Sequence, residues 1–417
     1  LGCGNVGKAL VGLIASQREA ILSRTGLNLT IQAIAVQNPE KHQDLDALAE
    51  RITTRAHDVV VSDDVDLVVE VVGGVEPSKE LIEAALRSGK PVITANKELL
   101  AKHGPELFEQ ADQGNLDLLF EAAVAGGIPL MRALRESLKG EPIRRVMGIV
   151  NGTTNYVLSQ MTETGMSYGD ALAEAQSAGF AESDPSADVE GQDAASKAAI
   201  IAMVAFGARL GLSDVTYEGI TQVSAEDIDF AKRFGHTIKL LAIAEHDNGE
   251  VAVRVHPAMV PDHHPLASVR DSFNAVFVEG EAVGDLMLYG RGAGGSPTAS
   301  AVLGDILAAA NNLTQSTNNG LGNLRKASIQ STEDLENAFY INLEVTDEPG
   351  VLAAVASVFG NHGVSIRSME QEGLGGEARI VFITHASKER NVHSTLDELS
   401  ELDCVIQIGT KIRVVGA

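Results

Sequence analysis

Asp193 and Lys197 are the only charged residues between Gly191 and Ala208. Four positions apart on a helix, they project from one face. Their neighbours are rich in Ala, Ile and Met, and the stripe they occupy continues into Ile200, Ile201 and Val204, so the helix is expected to be buried nearly all round. An exposed pair of this kind contributes a few tenths of a kcal/mol, whereas a buried one costs several kcal/mol unless it is paired or used. A paired lysine and aspartate in a cleft suit proton transfer. Glu182, Asp184, Asp188 and Glu190 crowd just upstream, either as a solvated acidic loop or as part of the same site.

A second chemical signal opens the chain. Gly2-Cys3-Gly4-Asn5-Val6-Gly7 matches G-x-G-x-x-G between a strand end and a helix. In that motif the first two glycines permit a tight turn and close approach of a pyrophosphate. The third permits close helix–strand packing, and the helix amides meet the phosphates. Alone the motif is a common glycine-rich turn. Here it opens a series of strands and helices, which makes dinucleotide binding the better reading. The acidic residue that would hold a ribose 2′-hydroxyl is absent, because the next strand ends in Gln37-Asn38-Pro39. No Arg stands at that turn either, although Lys41 and His42 follow, so a choice between NAD and NADP is left open.

These residues need elements to hold them. Helical spacing runs from Gly4 to about Ser23, and Thr30–Val36 is β-rich. Strands are expected at Asp66–Val72, Pro91–Thr94 and Asp117–Ala123, alternating with helices at Ser78–Ser88 and Glu106–Gln113. That alternation predicts βαβ units and a mostly parallel, Rossmann-type sheet over residues 1–135. Leu1 reads as the tail of the first strand, most of which is missing from the sequence. From 136 to 295 the rhythm becomes α+β. Arg144–Val150 is a strand, followed by helices at Asn155–Thr164, Tyr168–Gly179 and Gln192–Leu210, then strands at Glu250–Val260 and Ala275–Val278. A glycine-rich loop from Tyr289 precedes a helix over 296–312, expected to return to the first domain. Residues 313–336 are polar without period and read as a linker. From 337 to 417 the order is βαββαβ, a ferredoxin-like module. Its Asp347-Glu348-Pro349-Gly350 turn presents helix amides suited to an amino-acid carboxylate, or is an ordinary Pro-initiated cap.

Composition narrows the field. Of 417 residues, 57 are acidic and 32 basic, a formal charge of −25. Repulsion from polyanions argues against nucleic acid as a partner. No apolar run reaches about 18 residues, so no membrane span is expected, and a cytoplasmic location fits. The two cysteines, Cys3 and Cys404, have no partner spacing for a disulfide scaffold or zinc site.

Taken together, the opening turn, Thr94-Ala95-Asn96-Lys97, Glu121-Ala122-Ala123-Val124-Ala125-Gly126-Gly127, Asn151-Gly152-Thr153-Thr154-Asn155-Tyr156, the run Gly179–Lys197 and Tyr289-Gly290-Arg291-Gly292-Ala293-Gly294-Gly295 resemble homoserine dehydrogenase. The resemblance extends to about residue 312, and the tail is similar to the amino-acid-sensing ACT module of the long bacterial form. It implies NAD(P)-dependent interconversion of homoserine and aspartate 4-semialdehyde, on the route to threonine, isoleucine and methionine. By position, it implies Lys197 as the catalytic proton carrier with Asp193 beside it. Glu182 and Asp188 would lie near the substrate's amino end, where carboxylates suit an ammonium group. Gly2, Gly4, Asn5, Val6, Gly7, Lys97, Gly179 and Gly294 would line the cofactor. Glu121, Val124, Gly126 and Ile128 would offer carbonyls to a monovalent cation, sodium. The resemblance also implies a homodimer or homotetramer and an amino-acid effector, threonine foremost. The chain departs from the family at Gln37-Asn38, where members commonly place a basic residue, and at Ala187, where some carry a second acid. An acylating semialdehyde dehydrogenase would need a thiolate, and Cys3 in the phosphate turn and Cys404 in the tail are badly placed. A non-catalytic amino-acid sensor would not need the Asp193–Lys197 pair.

Overall fold

The computed structural model describes residues 1–416 apart from Asp46, Ala47 and Leu374. The first domain is built on two short parallel sheets. Ile34–Ala35 pairs with Ile52–Thr53, and Val68–Glu70, Val92–Thr94 and Leu118–Leu119 pair in that order. The opening turn bridges them: the Gly2 amide donates to Ala35, and the Leu1 carbonyl accepts from Val71. Between the sheets lies a cavity of about 870 Å³, bordered by residues 29–34 and 66–69.

The helix Asn5–Thr25 packs along the returning helix Gly295–Gln315 through Leu10, Ile14, Ile21, Val302, Ile306 and Ala309. Small residues at Ala299 and Ala309 let the two backbones approach. One helix departs from expectation: it starts at Lys97 rather than Glu106, with Pro105 inside it. The Asn96 side chain caps it by accepting from the Leu99 amide at 3.1 Å, and burial of Leu99, Leu100 and Leu107 offsets the hydrogen bond Pro105 cannot make.

The second domain is an antiparallel sheet in the order Gly284–Arg291, Phe273–Gly280, Ile143–Ile149, His236–Asp247, Glu250–Pro261. The helices Gly152–Thr164, Gln192–Phe206 and Ala225–Arg233 pack against it. Two of these strands and the last helix were not anticipated. In His236–Asp247 every residue from Ile238 to Ala244 is buried, so the alternation that marks a half-solvated strand is missing. Gly284–Arg291 is a partly exposed edge with little apolar pattern.

Residues 313–336 are not a free linker. Arg325–Lys326 pairs with Ala208–Arg209, and Ser328–Ile329 pairs with Glu250–Val251. Two-residue backbone pairings carry no side-chain period, which is why polarity alone misread them. The last module has the expected βαββαβ order, its sheet running Val405–Val414, Glu336–Thr346, Glu377–Thr384, Ile366–Gly373. Its first-named strand pairs in parallel with Glu250–Pro261 at Ala258↔Arg413 and Met259↔Val414, so the two domains share one continuous sheet.

Candidate functional site

Asp193 lies in the first turn of Gln192–Phe206, where the helix dipole favours a carboxylate, and Lys197 follows one turn later. They are 7% and 9% exposed, which removes the surface-pair reading. Asp193 Oδ2 accepts from Lys197 Nζ at 2.7 Å and from Asn151 Nδ2 at 2.8 Å. Its other oxygen meets Lys97 Nζ at 2.5 Å. Lys197 also donates to the Val150 carbonyl at 2.6 Å. One carboxylate thus carries two ammonium groups, Lys97 from the parallel sheet's C-terminal edge and Lys197 from the second domain.

Environment separates the two lysines. Burial pulls the Lys197 pKa below its ordinary value, and the attraction of Asp193 does not restore it. Burial also pulls on Lys97, but Asp193, Asp188 and Glu182 together raise it overall. Burial would raise the Asp193 pKa, yet the two lysines hold it well below the usual carboxylate range. Lys197 is therefore the group closest to giving up its proton, while Lys97 stays charged.

Of the acidic residues upstream, Asp188 joins this cluster. It sits on the short helix Ser186–Val189, and its carboxylate accepts from Asn151 Nδ2 at 2.6 Å and Thr153 Oγ1 at 3.2 Å. Glu182 is exposed and reaches the cluster through its charge on Lys97. Asn151 was not singled out from the sequence. Its Oδ1 caps the helix Gly152–Thr164 through the Thr154 amide at 2.8 Å, while its Nδ2 spans Asp188 and Asp193. An Asn between a strand and a helix was the available signal for the cap, though not for the bridge.

On the cofactor side, a Cβ on Gly2 (φ +83°) would lie 2.8 Å from the Val71 carbonyl oxygen, and one on Gly7 would lie 2.9 Å from that of Gly2. Gly4, the N-cap, has open space beside it, and Asn5 and Val6 begin the helix. The arrangement fits a pyrophosphate at the amides of this first turn. Gly294 caps the returning helix, whose Gly295 lies against the Asn5 carbonyl, so both helix starts flank the same turn. Gly179 (φ +79°) is exposed past the helix Tyr168–Ser177, with no protein atom within 4 Å of a Cβ. Lys97, expected on the cofactor side from the sequence, has its ammonium on Asp193. Arg55, passed over in the sequence, follows the strand Ile52–Thr53 beside Ile34–Ala35 and pairs with Asp58.

The Glu121 carboxylate does not face outward. It accepts from the Met131 and Arg132 amides, both at 2.8 Å, while the Glu121 amide donates to Asp305 at 2.8 Å. Burial, with Asp305 adding to it, pushes its pKa up to about 7. Ala125 and Gly126 follow with φ of +57° and +54°, and Gly126 is pressed under the Gly292 carbonyl. The Ile128 carbonyl accepts from the Leu130 amide at 2.8 Å. Among the described residues, no group of three or more His, Cys, Asp or Glu could hold a metal ion.

Comparison with known proteins decides the family. The homoserine dehydrogenase model matches residues 129–307, the homoserine dehydrogenase NAD-binding domain matches 2–121, and the ACT domain matches 339–404. The homoserine dehydrogenase of Corynebacterium glutamicum is 46% identical, over 99% of this chain and 94% of its own. The chain belongs to the homoserine dehydrogenase family. That of Bacillus subtilis is 42% identical over 100% and 97%. Among solved structures, a homoserine dehydrogenase from Thiobacillus denitrificans superposes with a TM-score of 0.93 at 38% identity, covering 99% and 96%. A hyperthermophilic archaeal homoserine dehydrogenase in complex with NADPH gives 0.64 at 29% identity, over 78% and 98%. The chain is accordingly an NAD(P)-dependent oxidoreductase of the homoserine dehydrogenase family, with a C-terminal ACT domain. No described helix is long and apolar enough to cross a membrane.

Proposed function

We propose that this chain interconverts L-homoserine and L-aspartate 4-semialdehyde, with Lys197 moving the hydroxyl proton. The observation that carries the reading is the Lys97–Asp193–Lys197 cluster, with Asp193 and Lys197 buried and Lys97 half-exposed, made where a Rossmann-type strand edge meets the second domain. When bound at the opening turn, a nicotinamide supplies the hydride acceptor or donor. In the oxidative direction Lys197 takes the proton from the terminal hydroxyl, and in the reductive direction it returns one to the alkoxide. Asp193 orients Lys197, and Lys97 keeps Asp193 ionised. Glu182 and Asp188 receive the substrate ammonium.

The finer assignments belong to the same reading. The turn made by Glu121, Val124, Gly126 and Ile128 holds a monovalent cation, sodium, through its carbonyls. The ACT module binds threonine. Gly350 caps the helix Val351–Asn361 without a side-chain acceptor, which leaves first-turn amides for a carboxylate, and Asp347 pairs with the ammonium. The strand Ile366–Gly373 is an open sheet edge, which supports a homodimer or homotetramer. Purified protein given aspartate 4-semialdehyde should consume NADPH or NADH absorbance. No consumption with either overturns the reading.

A further inference from the structure

Glu70 is wholly buried at the C-terminal end of Val68–Glu70, and the proton-transfer chemistry makes no use of it. Its Oε1 accepts from the amides of Val72 and Gly73, at 2.7 and 3.0 Å, and from Ser78 Oγ at 3.3 Å. Its Oε2 accepts from Thr94 Oγ1 at 2.6 Å. That hydroxyl in turn accepts from the Asn96 amide at 3.0 Å, and Asn96 Nδ2 donates to the Gly74 carbonyl at 2.6 Å. The bonds form a closed circuit from the strand end, through the turn Val72–Gly74, to the cap of the helix that begins with Lys97.

Two contacts tie this circuit to the site at both ends. The segment it pins starts at Val71, whose carbonyl oxygen lies 2.8 Å from where a Cβ on Gly2 would be, so it is the floor under the dinucleotide turn. At the other end Asn96 directly precedes Lys97, whose ammonium lies on Asp193. Gly73 and Gly74 both adopt left-handed backbone, with φ of +83° and +71°, next to the Val72 and Gly73 amides that converge on one carboxylate oxygen.

We propose that Glu70 is a positioning residue that fixes the dinucleotide turn relative to Lys97, and so the cofactor relative to the proton carrier. It rests on the reading that the opening turn binds NAD(P). All four groups bonded to Glu70 donate; the Ser78 hydroxyl also has the Gly73 carbonyl at 3.2 Å, whereas the Val72 and Gly73 amides and the Thr94 hydroxyl depend on the Glu70 carboxylate. A glutamine at this position must turn its amino group toward one of those donors, which leaves a buried pair unsatisfied.

The test compares Glu70→Gln and Thr94→Val with Thr94→Ser, which restores the hydroxyl, in the full-length protein. Wild-type NADPH and NADH binding, followed by fluorescence titration, checks the underlying reading separately. If wild-type protein binds neither, that reading fails before the variants are compared. Glu70→Gln should weaken cofactor binding about tenfold and lower kcat by a similar factor, with KM for homoserine changed less than threefold. Thr94→Val should lower kcat in the same manner, and Thr94→Ser should recover most of it. If Glu70→Gln does not fold, the Thr94 pair decides alone. Folded variants with wild-type cofactor affinity and kcat, or a Thr94→Ser that behaves like Thr94→Val, overturn the proposal, because a purely structural role predicts a lower Tm with unchanged kinetics.

Discussion

Replacing Lys197 with Met separates a proton carrier from a structural cation. The side chain keeps an unbranched apolar stem, ends one atom short of the ammonium and loses two bonds, to the Val150 carbonyl at 2.6 Å and to Asp193 at 2.7 Å. Removing one partner of a buried ion pair usually costs about 3–5 kcal/mol, because the other charge is stranded. Here Asp193 is not stranded, since Asn151 and Lys97 still hold it at 2.8 and 2.5 Å. The desolvation that lowers the Lys197 pKa also disappears. The stability loss should therefore fall below that range, and Lys197→Met should fold. Turnover should fall by a factor of about 10² to 10⁴, or roughly 3–5.5 kcal/mol of barrier, while cofactor affinity by fluorescence titration changes little. Asp193→Asn supplies the companion result. It removes the attraction that props up the Lys197 pKa, so the pH at which kcat rises should move down. Wild-type turnover in Lys197→Met, with an unchanged pH profile, would refute the assignment and leave Lys197 a structural member of the cluster.

Asn151→Leu removes the bridge between Asp188 and Asp193, and steady-state kinetics should show kcat reduced by about tenfold or more as the half-buried Asp188 and the buried Asp193 lose a donor. Glu121 has a folded pKa of about 7, above the value near 4.3 of a free glutamate. Its contribution to stability is thus fully present below the unfolded value and lost as pH rises through about 7, up to roughly 3 kcal/mol. The fall in Tm between pH 6 and 8 should be smaller in Glu121→Gln than in wild type, and equal slopes would exclude Glu121 as its source. Gln37-Asn38 offers neither an acid nor an Arg, so NAD and NADP should differ by about tenfold in kcat/KM at most, or 1.4 kcal/mol. A preference above a thousandfold would mean that another group, such as Arg55, reads the ribose.

What the sequence revealed depended on contrast. Asp193 and Lys197 stood out because a single lysine and a single aspartate interrupt an apolar helix. The opening turn was legible because glycine is demanded at Gly2 and Gly7 by backbone contacts of 2.8 and 2.9 Å. The βαββαβ module was read through local period. Lys97 was found, but its partner was not, since nothing in the spacing of positions 97 and 193 reports a 2.5 Å contact. Asn151 was hidden for a similar reason, as its cap is local and its bridge is not. His236–Asp247 lacks alternation because both of its faces are covered. Glu70 did carry a signal, being the single charge in Leu67–Val72, and a buried carboxylate in an apolar strand has to be satisfied by something.

The most direct test of the account is the pH dependence of homoserine oxidation, followed by nicotinamide absorbance with NAD and NADP separately. The account predicts homoserine-dependent reduction of at least one cofactor. It also predicts that kcat rises with pH through a midpoint below the 10.5 of an ordinary lysine, a limb that Lys197→Met abolishes. Absence of homoserine-dependent reduction with either cofactor at any pH would contradict it.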